Sequence, residues 1–575
     1  MLSVKRLLQL IAIALFIGIA YLFFTVDHNT GNASTVNNYA REKINLTTNA
    51  LPTITNFENY LIVGNSKVST QKFIKDNIVE NLASMKKNYK LIDRLSENDL
   101  AIKPILIFSD TQISNCADMG LVSNYISTGG KVLFAAGLPE GYLDSYMNPV
   151  WGIVEKGNLV TANNFKINDD FFAYSGETVD FSGNNVSTSI RLGPNTSVYV
   201  MATNDIPIVY SNSFNRVQTV IINGNLLKEK YSSGILCGAL GVLEGDFIYP
   251  VLGTKTIFLD CFPPIANIDD VQSTKLYGRS VESFLNDILW PQLMAKMLND
   301  GLKYTASILT VLPGEYDTKN INKRLFTSIF RDIVSRNPEG EIIISGDHSK
   351  PNKNIISQAT QAHTYFRSVF KNYMINAYSV LYGKPDIATL KSISSVFDNL
   401  AIINGPLNGD PNTQFTKDFS MSDGFVYVPT VSSGFSVNNG SFFDFLSAET
   451  SKGVVSHSFN IESLLKAPDA QSGWDGLKQS FESLSALYFE KTPWLTPSTI
   501  TETANKVIAF TSLKTEVSLE ARTINVYCDN FLSGQAFYLR TNKTVKEVKG
   551  GSFTKISNAF YMIKASSPSF TVVFA

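Results

Sequence analysis

Few side chains in this sequence are suited to metal or acid–base chemistry, and four of them stand in similar settings. Asp269 and Asp270 follow an apolar run and a pair of prolines, while His348 and His457 each stand at or just past the end of an apolar run. Adjacent carboxylates can divide their roles, so that one binds a divalent cation and the other accepts a proton. A neutral imidazole is a ligand that suits zinc or a similar metal.

Each of these features alone also has a structural explanation. An Asp-Asp pair is compatible with a solvated turn or a helix N-cap, His348 with a capping or surface residue, and His457 with a satisfied polar residue in the core. Together they are more informative, because the strand ends of a parallel barrel converge on one face. We therefore expect the four residues to share a pocket in which a metal activates water for hydrolysis.

The elements that would position these residues alternate between strands and helices. Apolar runs at 60–63 and 105–108 and a further predicted strand at 131–134 are separated by helical stretches, which is typical of a parallel α/β sheet. Their order resembles the flavodoxin-like or glutamine-amidotransferase-like fold, although no catalytic Cys follows a strand in a tight elbow. We assign residues 56–255 to this domain. The alternation resumes over residues 256–508, which are long enough for a (β/α) barrel.

The two ends of the chain have different patterns. From residue 509 to 575 the helical patterns disappear, and short alternating segments separated by Gly, Asn and Ser predict a β-sandwich. Residues 27–55 are rich in Asn and Thr and lack periodicity, so we predict a stalk.

An uncharged, apolar stretch occupies residues 7–26, and about 20 such residues span a bilayer core as a helix. Lys5 and Arg6 precede it, so residues 1–6 would remain in the cytoplasm and the bulk of the chain would lie outside. The alternative is a cleaved signal peptide, although no A-x-A-like site follows the stretch. We predict a single-pass protein of the cell membrane.

Composition narrows the class of protein. The 575 residues carry a net charge of −1 with 17% charged and 11% aromatic residues, which indicates well-packed globular domains. This charge balance argues against binding of nucleic acid or anionic lipid by bulk electrostatics. Four widely spaced cysteines resemble neither a disulfide framework nor a Cys-based zinc site.

The Asp-Asp pair, the His-Ser motif and the late His resemble NodB-type polysaccharide deacetylases. This resemblance implies removal of N-acetyl groups from an extracellular amino-sugar polymer. It implies that Asp269 is the base, that Asp270 and His348 bind zinc or a similar divalent metal, and that His457 is the acid. The family's second His ligand falls at Asn352, which is a poor ligand for a transition metal.

The wider layout is similar to the Pel exopolysaccharide protein PelA and to the bacterial domain of unknown function 2194 (DUF2194). The similarity covers most of the chain from about residue 57, and it is carried by the α/β module, by segments 258–264 and 268–271, and by the deacetylase-like region. The Arg-x-Pro-x-Gly motif of active deacetylases is not evident, and residues 403–406 are the nearest candidate for its remnant.

Two functions therefore remain open. One is a metal-dependent deacetylase that acts on an extracellular polysaccharide. The other is a non-catalytic scaffold that binds polymer, or holds proteins of exopolysaccharide synthesis and export at the membrane. Trp474 and Trp494 could stack on sugar rings, although both also fit a core position.

Overall fold

The computed structural model describes twelve stretches of the chain. These are residues 46–48, 50–52, 60–65, 69–138, 148–174, 178–181, 184–214, 217–264, 270–312, 323–335, 340–369 and 373–575. The predicted cytoplasmic tip, the predicted anchor over 7–26, most of the predicted stalk and Asp269 lie outside them. Within these stretches, no helix is both long and apolar enough to cross a membrane.

The first domain is built around a large mixed sheet. Its strands are β1 (Tyr60–Val63), β2 (Tyr89–Ile92), β3 (Ile105–Phe108), β4 (Val132–Phe134), β5 (Ile153–Thr161), β6 (Asn164–Ile167), β7 (Thr178–Asp180), β8 (Val186–Leu192), β9 (Thr196–Ala202), β10 (Pro207–Phe214) and β11 (Val217–Ile222). The order is β2-β1-β3-β4-β11-β10-β9-β6-β7, with β5 and β8 forming a separate pair. The first five strands of this order are parallel, and β1 and β3 are wholly buried apolar runs, as a sheet covered on both faces requires.

Helices cover this sheet and connect its strands. The α-helices are Ser69–Ser84, Met119–Ser127, Asn148–Trp151 and Ser233–Glu244, and the 3-10 turns are Glu97–Leu100, Ile113–Asn115, Leu226–Lys228 and Lys230–Ser232. One further strand, β12 (Phe247–Val251), follows the last of these helices and belongs to a different sheet.

The second domain contains a ten-stranded sheet that is parallel except at one hairpin. Its strands are β13 (Thr254–Asp260), β14 (Tyr304–Val311), β15 (Gly340–His348), β16 (Ala377–Gly383), β17 (Ile402–Asn404), β18 (Ser420–Ser422), β19 (Phe425–Tyr427), β20 (Ser432–Ser433), β21 (Val454–Asn460) and β22 (Thr496–Pro497). The order is β18-β19-β17-β16-β15-β14-β13-β21-β20, and β22 pairs with β13.

The two ends of this sheet meet in one segment of chain. Only residues 428–431 separate β19 from β20, and Thr430 bridges to Pro406 just after β17. The parallel pairings therefore form a circuit that returns to its starting segment. Because the strands run in the same direction, their carboxyl ends lie at the same edge.

Helices follow most of these strands. They are Asp270–Tyr277, Val281–Phe284, Trp290–Asn299, Lys323–Ser335, Ile355–Val369, Ile387–Ser394, Asn439–Lys452, Ile461–Leu465, Trp474–Ser485 and Ile500–Ser512, with π-helical turns at Leu285–Leu289 and Ala486–Glu490. Strands and helices alternate over two domains, so the predicted multi-domain α/β class is confirmed.

The C-terminal strands form two four-stranded antiparallel sheets. They are β23 (Lys514–Leu519), β24 (Thr523–Asp529), β25 (Ala536–Arg540), β26 (Val545–Lys549), β27 (Gly551–Lys555), β28 (Phe560–Ala565) and β29 (Ser569–Phe574). One sheet has the order β12-β25-β28-β27 and the other β23-β24-β29-β26. Strand β12 therefore comes from the segment that we assigned to the first domain, yet it completes a sheet of the last one.

Candidate ligand-binding site

A cavity of about 410 Å³ lies at the carboxyl ends of β13, β16, β17, β20 and β21. Small-molecule sites commonly enclose about 300–1,000 Å³. The polar side chains that line it include Asp260, Asn404, Asn408, Asp444, Ser458 and Asn460. Among the described residues of this lining there is no Lys, Arg or His. The cavity is therefore polar, and its described lining carries two carboxyl groups and no basic side chain.

Asp260 is the last residue of β13, where a buried apolar run ends in a carboxylate. It accepts hydrogen bonds from Ser307 Oγ at 2.7 Å and from Ser458 Oγ, on the two strands that flank β13. Burial raises the pKa of Asp260, and the two hydroxyl donors offset part of that rise. The next residue, Cys261, has φ of 56°, a left-handed conformation that non-glycine residues rarely adopt and that is concentrated at functional sites.

Asp444 reaches the cavity from the helix Asn439–Lys452. Its side chain is well buried, with the residue only 7% exposed, and its Oδ1 atom has no hydrogen-bond partner among the described residues. Burial raises the pKa of Asp444 to about 7, and a hydrogen bond with the Asn408 side chain offsets part of the rise. Near neutral pH this carboxyl group is therefore able both to donate and to accept a proton.

Two amide side chains in the lining, those of Asn408 and Asn460, donate their N–H groups to the protein and leave an oxygen atom without a described partner. Asn408 Nδ2 donates to the Val431 carbonyl at 3.2 Å, and Asn460 Nδ2 donates to the Tyr382 hydroxyl at 2.9 Å. The Oδ1 atoms of Asn408 and Asn460 have no partner in the part of the chain that the structure describes. A buried polar atom without a partner costs about 1–3 kcal/mol, so these oxygens favour a ligand that donates hydrogen bonds.

Asp270, predicted as a metal ligand, begins the helix Asp270–Tyr277 and is exposed. Its Oδ1 atom accepts a 2.8 Å hydrogen bond from the backbone N–H of Val281. This contact joins two successive short helices and does not involve the cavity.

His348, the second predicted ligand, is the last residue of β15 and is half-buried. Its Nε2 atom is 2.7 Å from the Tyr378 hydroxyl. Burial lowers the pKa of His348, while the nearby Asp347 carboxylate opposes that shift. The neutral ring would keep Nδ1 for another partner.

Asn352, which stands where the deacetylase motif has a second His, stabilises a turn. Its Nδ2 atom donates to the Leu312 carbonyl at 2.7 Å and to Gln358 Oε1 at 2.9 Å. Its Oδ1 atom accepts from the backbone N–H of Asn354 at 2.8 Å. The amide is thus engaged with three protein groups.

His457, the predicted acid, lies inside the protein at 1% exposure. Nδ1 is 2.8 Å from Ser432 Oγ and Nε2 is 2.8 Å from the Gly434 carbonyl. Because a carbonyl only accepts, Nε2 carries the proton and Nδ1 accepts from the serine. Burial lowers the pKa of His457 to about 4. Side chains alternate along a strand, so Ser458 lines the cavity while the His457 ring packs against Tyr488.

A complete metal site is not found in the described ranges, where no group of three or more His, Cys, Asp or Glu side chains is placed to hold a metal ion. Asp270 and His348 would supply two protein ligands, whereas catalytic zinc uses three. Asp269 lies outside the described residues. The described side chains therefore do not fit a catalytic zinc ion as they stand, and the metal site stays a prediction.

The tryptophans considered for sugar stacking are held by the protein. Trp474 is buried and donates from Nε1 to Gln292 Oε1 at 2.8 Å. Trp494 donates from Nε1 to Glu449 Oε1 at 3.2 Å and to the Tyr538 hydroxyl at 3.0 Å. An aromatic side chain that sequence reasoning missed, Tyr382, lines the cavity instead and is 42% exposed.

Two residues that line the cavity lie in segments that sequence motifs had already singled out. Asp260 falls within 258–264, and Asn404 falls within 403–406. Asp444 carried no such signal, because an Asp within a helical pattern is most simply a solvated surface residue.

A sequence model of one bacterial family matches most of the chain. The family is described as "Uncharacterised protein conserved in bacteria (DUF2194)", and the match spans residues 22–562. It agrees with the resemblance to DUF2194 seen in the sequence, and it does not bear on the resemblance to NodB-type deacetylases or PelA. No curated protein matches the chain.

Solved structures resemble the chain only weakly. A ThuA-like protein from Bacteroides uniformis ATCC 8492 has 10% identity and a TM-score of 0.27, covering 34% of this chain and 95% of its own. The exo-β-1,4-mannosidase Op5Man5 from Opitutaceae bacterium strain TAV5 has 10% identity and a TM-score of 0.24, covering 32% and 36%. A GH138 enzyme targeting pectin rhamnogalacturonan II has 7% identity and a TM-score of 0.25, covering 74% and 50%. These scores are too low to indicate a function.

Proposed function

The chain belongs to the DUF2194 family, and from that premise we propose that it binds a sugar unit of an extracellular polysaccharide in the cavity at the strand ends. One observation carries the proposal. Asp444, Asn408 and Asn460 line the same cavity, and each has a buried Oδ1 atom without a partner among the described residues. A ligand with several hydroxyl groups would supply the missing donors.

The size and polarity of the cavity support a sugar over an apolar ligand. Typical sites for apolar small molecules are lined mainly by hydrophobic and aromatic side chains. Here the lining is dominated by Asp, Asn and Ser, with the half-exposed ring of Tyr382 as an aromatic surface. Such a ring offers an apolar face to a sugar while its hydroxyl remains hydrogen-bonded.

The predicted location of the chain agrees with a polymer ligand. An anchor at residues 7–26, with the bulk of the chain outside, would hold the cavity close to the membrane surface. Extracellular polysaccharide would be accessible there. In this proposal the chain is a membrane-tethered protein of exopolysaccharide production or modification, and other proteins of that process are its expected partners.

A second candidate is hydrolysis of the bound sugar, including the removal of N-acetyl groups predicted from the sequence. The observation that favours it is the Asp444 carboxyl group, because a pKa of about 7 suits general acid–base catalysis at neutral pH. Asp260 would be a second carboxyl group in the same cavity.

Binding of oligosaccharides to the full chain in detergent micelles tests the proposal. We would titrate oligomers of glucose, glucosamine, N-acetylglucosamine and galacturonic acid by isothermal calorimetry. Asn408→Ala and Asn460→Ala each remove one unpartnered oxygen and should weaken binding about tenfold, as expected for loss of a hydrogen bond. Asn399→Ala is the matched control, because Asn399 precedes β17 at its amino end and bonds to Met374 Sδ.

Three results would decide between the candidates. Saturable binding that the two cavity variants weaken, with no product released, supports a binding protein. Release of acetate or of new reducing ends from the same oligomers supports hydrolysis, and metal analysis of the purified chain then decides whether a metal takes part. If none of the four oligomers binds at millimolar concentration, the proposal is wrong.

A further inference from the structure

We infer that the sugar unit bound in this cavity carries a protonated amine. This inference rests on the proposed function and goes beyond it, because hydroxyl groups alone would satisfy the Oδ1 atoms of Asp444, Asn408 and Asn460. The charge of the cavity and the orientation of its amides carry it.

The lining has acidic groups and no described group of opposite charge. Asp260 and Asp444 are both only 7% exposed, and no Lys, Arg or His is among the described residues that line the cavity. A buried carboxylate without a positive partner is destabilised by the loss of water, and it either takes up a proton or acquires a cation. A ligand ammonium group would be that cation for Asp444, whose Oδ1 atom has no described partner.

Two of the neutral polar side chains in the lining have the same bias. Asn408 and Asn460 turn their N–H groups to protein oxygens and leave their Oδ1 atoms without described partners. Asn404 adds no free acceptor, because its Nδ2 donates to the Val428 carbonyl at 2.8 Å and its Oδ1 accepts from Ser379 Oγ at 2.7 Å. An ammonium group has three N–H donors and no acceptor, so it complements this surplus of acceptors.

Tyr382 favours a cationic ligand, and the N-terminus of a nearby helix opposes one. The exposed ring of Tyr382 can bind a cation over its face, which adds to the acidic side chains. The helix Asn439–Lys452 starts beside the cavity, since Ser441 is in the lining, and a helix N-terminus attracts anions. Its effect equals about half of a positive charge, and Asn438 already accepts from the Gly440 N–H. The full negative charge of the ionised Asp444 carboxylate exceeds this partial charge.

The test compares oligomers of one length that differ in a single group. Isothermal calorimetry on the full chain should give a Kd for glucosamine oligomers at least about tenfold lower than that for N-acetylglucosamine oligomers. The preference should shrink at high salt, because a charge interaction is screened. Galacturonic acid oligomers, which carry carboxylates, should bind more weakly than either.

Variants of the acidic groups check the cause of the preference. Asp444→Asn keeps the shape of the side chain and should weaken glucosamine binding about tenfold, while N-acetylglucosamine binding changes by less than about threefold. Asp260→Asn should act in the same direction, and it keeps the inference testable if Asp444→Asn fails to fold. Asp398→Asn is the control, because Asp398 pairs with Arg367 outside the cavity.

The outcomes separate this inference from the proposed function. Equal affinities for the amine and the N-acetyl oligomers, or a preference for galacturonic acid, would overturn the inference and leave sugar binding in place. Absence of binding to any oligomer would overturn both. A preference for the amine that survives both Asp variants would show that the cation binds elsewhere.

Discussion

The hydroxyl of Tyr538 donates a 2.6 Å hydrogen bond to the carboxyl group of Glu449, and this contact joins two domains. Tyr538 lies on β25 of the C-terminal sandwich, and Glu449 lies on the helix Asn439–Lys452 that also carries Asp444. Glu449 is completely buried and accepts a second hydrogen bond from Trp494. The sandwich therefore supports the helix that brings Asp444 to the cavity.

Removal of the Tyr538 hydroxyl should destabilise the protein. In Tyr538→Phe the buried Glu449 carboxyl group loses one donor, which should lower the free energy of unfolding by about 1–3 kcal/mol. Urea unfolding monitored by tryptophan fluorescence measures the change. Tyr527→Phe, in β24 of the same sandwich and only partly buried, is the control and should have little effect. Equal stability of the two variants would contradict a supporting role for the Tyr538–Glu449 bond.

Glu449 should also make the stability depend on pH. Burial raises its pKa from 4.5 to about 7, so between these values the folded chain holds a proton that the unfolded chain has released. Stability from this group is therefore complete below pH 4.5 and is lost as the pH rises to about 7. From pH 4 to pH 8 the unfolding free energy of the parent should fall by about 3 kcal/mol relative to that of Glu449→Gln. A constant difference would show that Glu449 titrates normally.

The stability that His457 contributes should have the opposite dependence on pH. Its pKa falls from 6.5 to about 4, so in this window the unfolded chain binds a proton that the folded chain does not. Its contribution is complete above pH 6.5 and is lost as the pH falls to about 4, an effect of about 3 kcal/mol. His457→Gln is expected to be less stable than the parent at pH 7, and this deficit should shrink at pH 4. A deficit independent of pH would mean that the ring stays protonated or exposed.

Asn352 is expected to contribute to the stability of the fold. Asn352→Asp keeps an acceptor for the Asn354 N–H but removes both donors to Leu312 and Gln358, so it should cost about 1–3 kcal/mol in unfolding free energy. Asn354→Asp is the control, because Asp and Asn are equivalent just before a helix, here Ile355–Val369. Urea unfolding of both variants measures this. Gain of bound metal by Asn352→Asp without loss of stability would instead favour the metal-ligand hypothesis.

The sequence determined the class of fold because periodicity is a local property. Apolar runs such as 60–63 and 105–108 are buried strands, and alternation with helices over residues 256–508 marks a second α/β domain. Family membership could also be predicted from the sequence, through the segments 258–264 and 268–271.

Domain boundaries were harder to predict from the sequence, because β-pairing joins residues far apart in the chain. Strand β12 pairs with β25, almost 300 residues later, and no local pattern indicates its partner. The backbone of Thr47, within the predicted stalk, likewise bonds to Phe531.

The composition of the candidate site was decided by tertiary structure alone. Whether a polar residue at a strand end faces the cavity or the surrounding helices depends on one position of register, which separates Ser458 from His457. Asp444 reaches the cavity because its helix connects β20 to β21, two strands that both contribute residues to the lining. Burial then raises the pKa of Asp444 and lowers that of His457; the direction follows from whether the residue is an acid or a base, and only packing decides that each is buried.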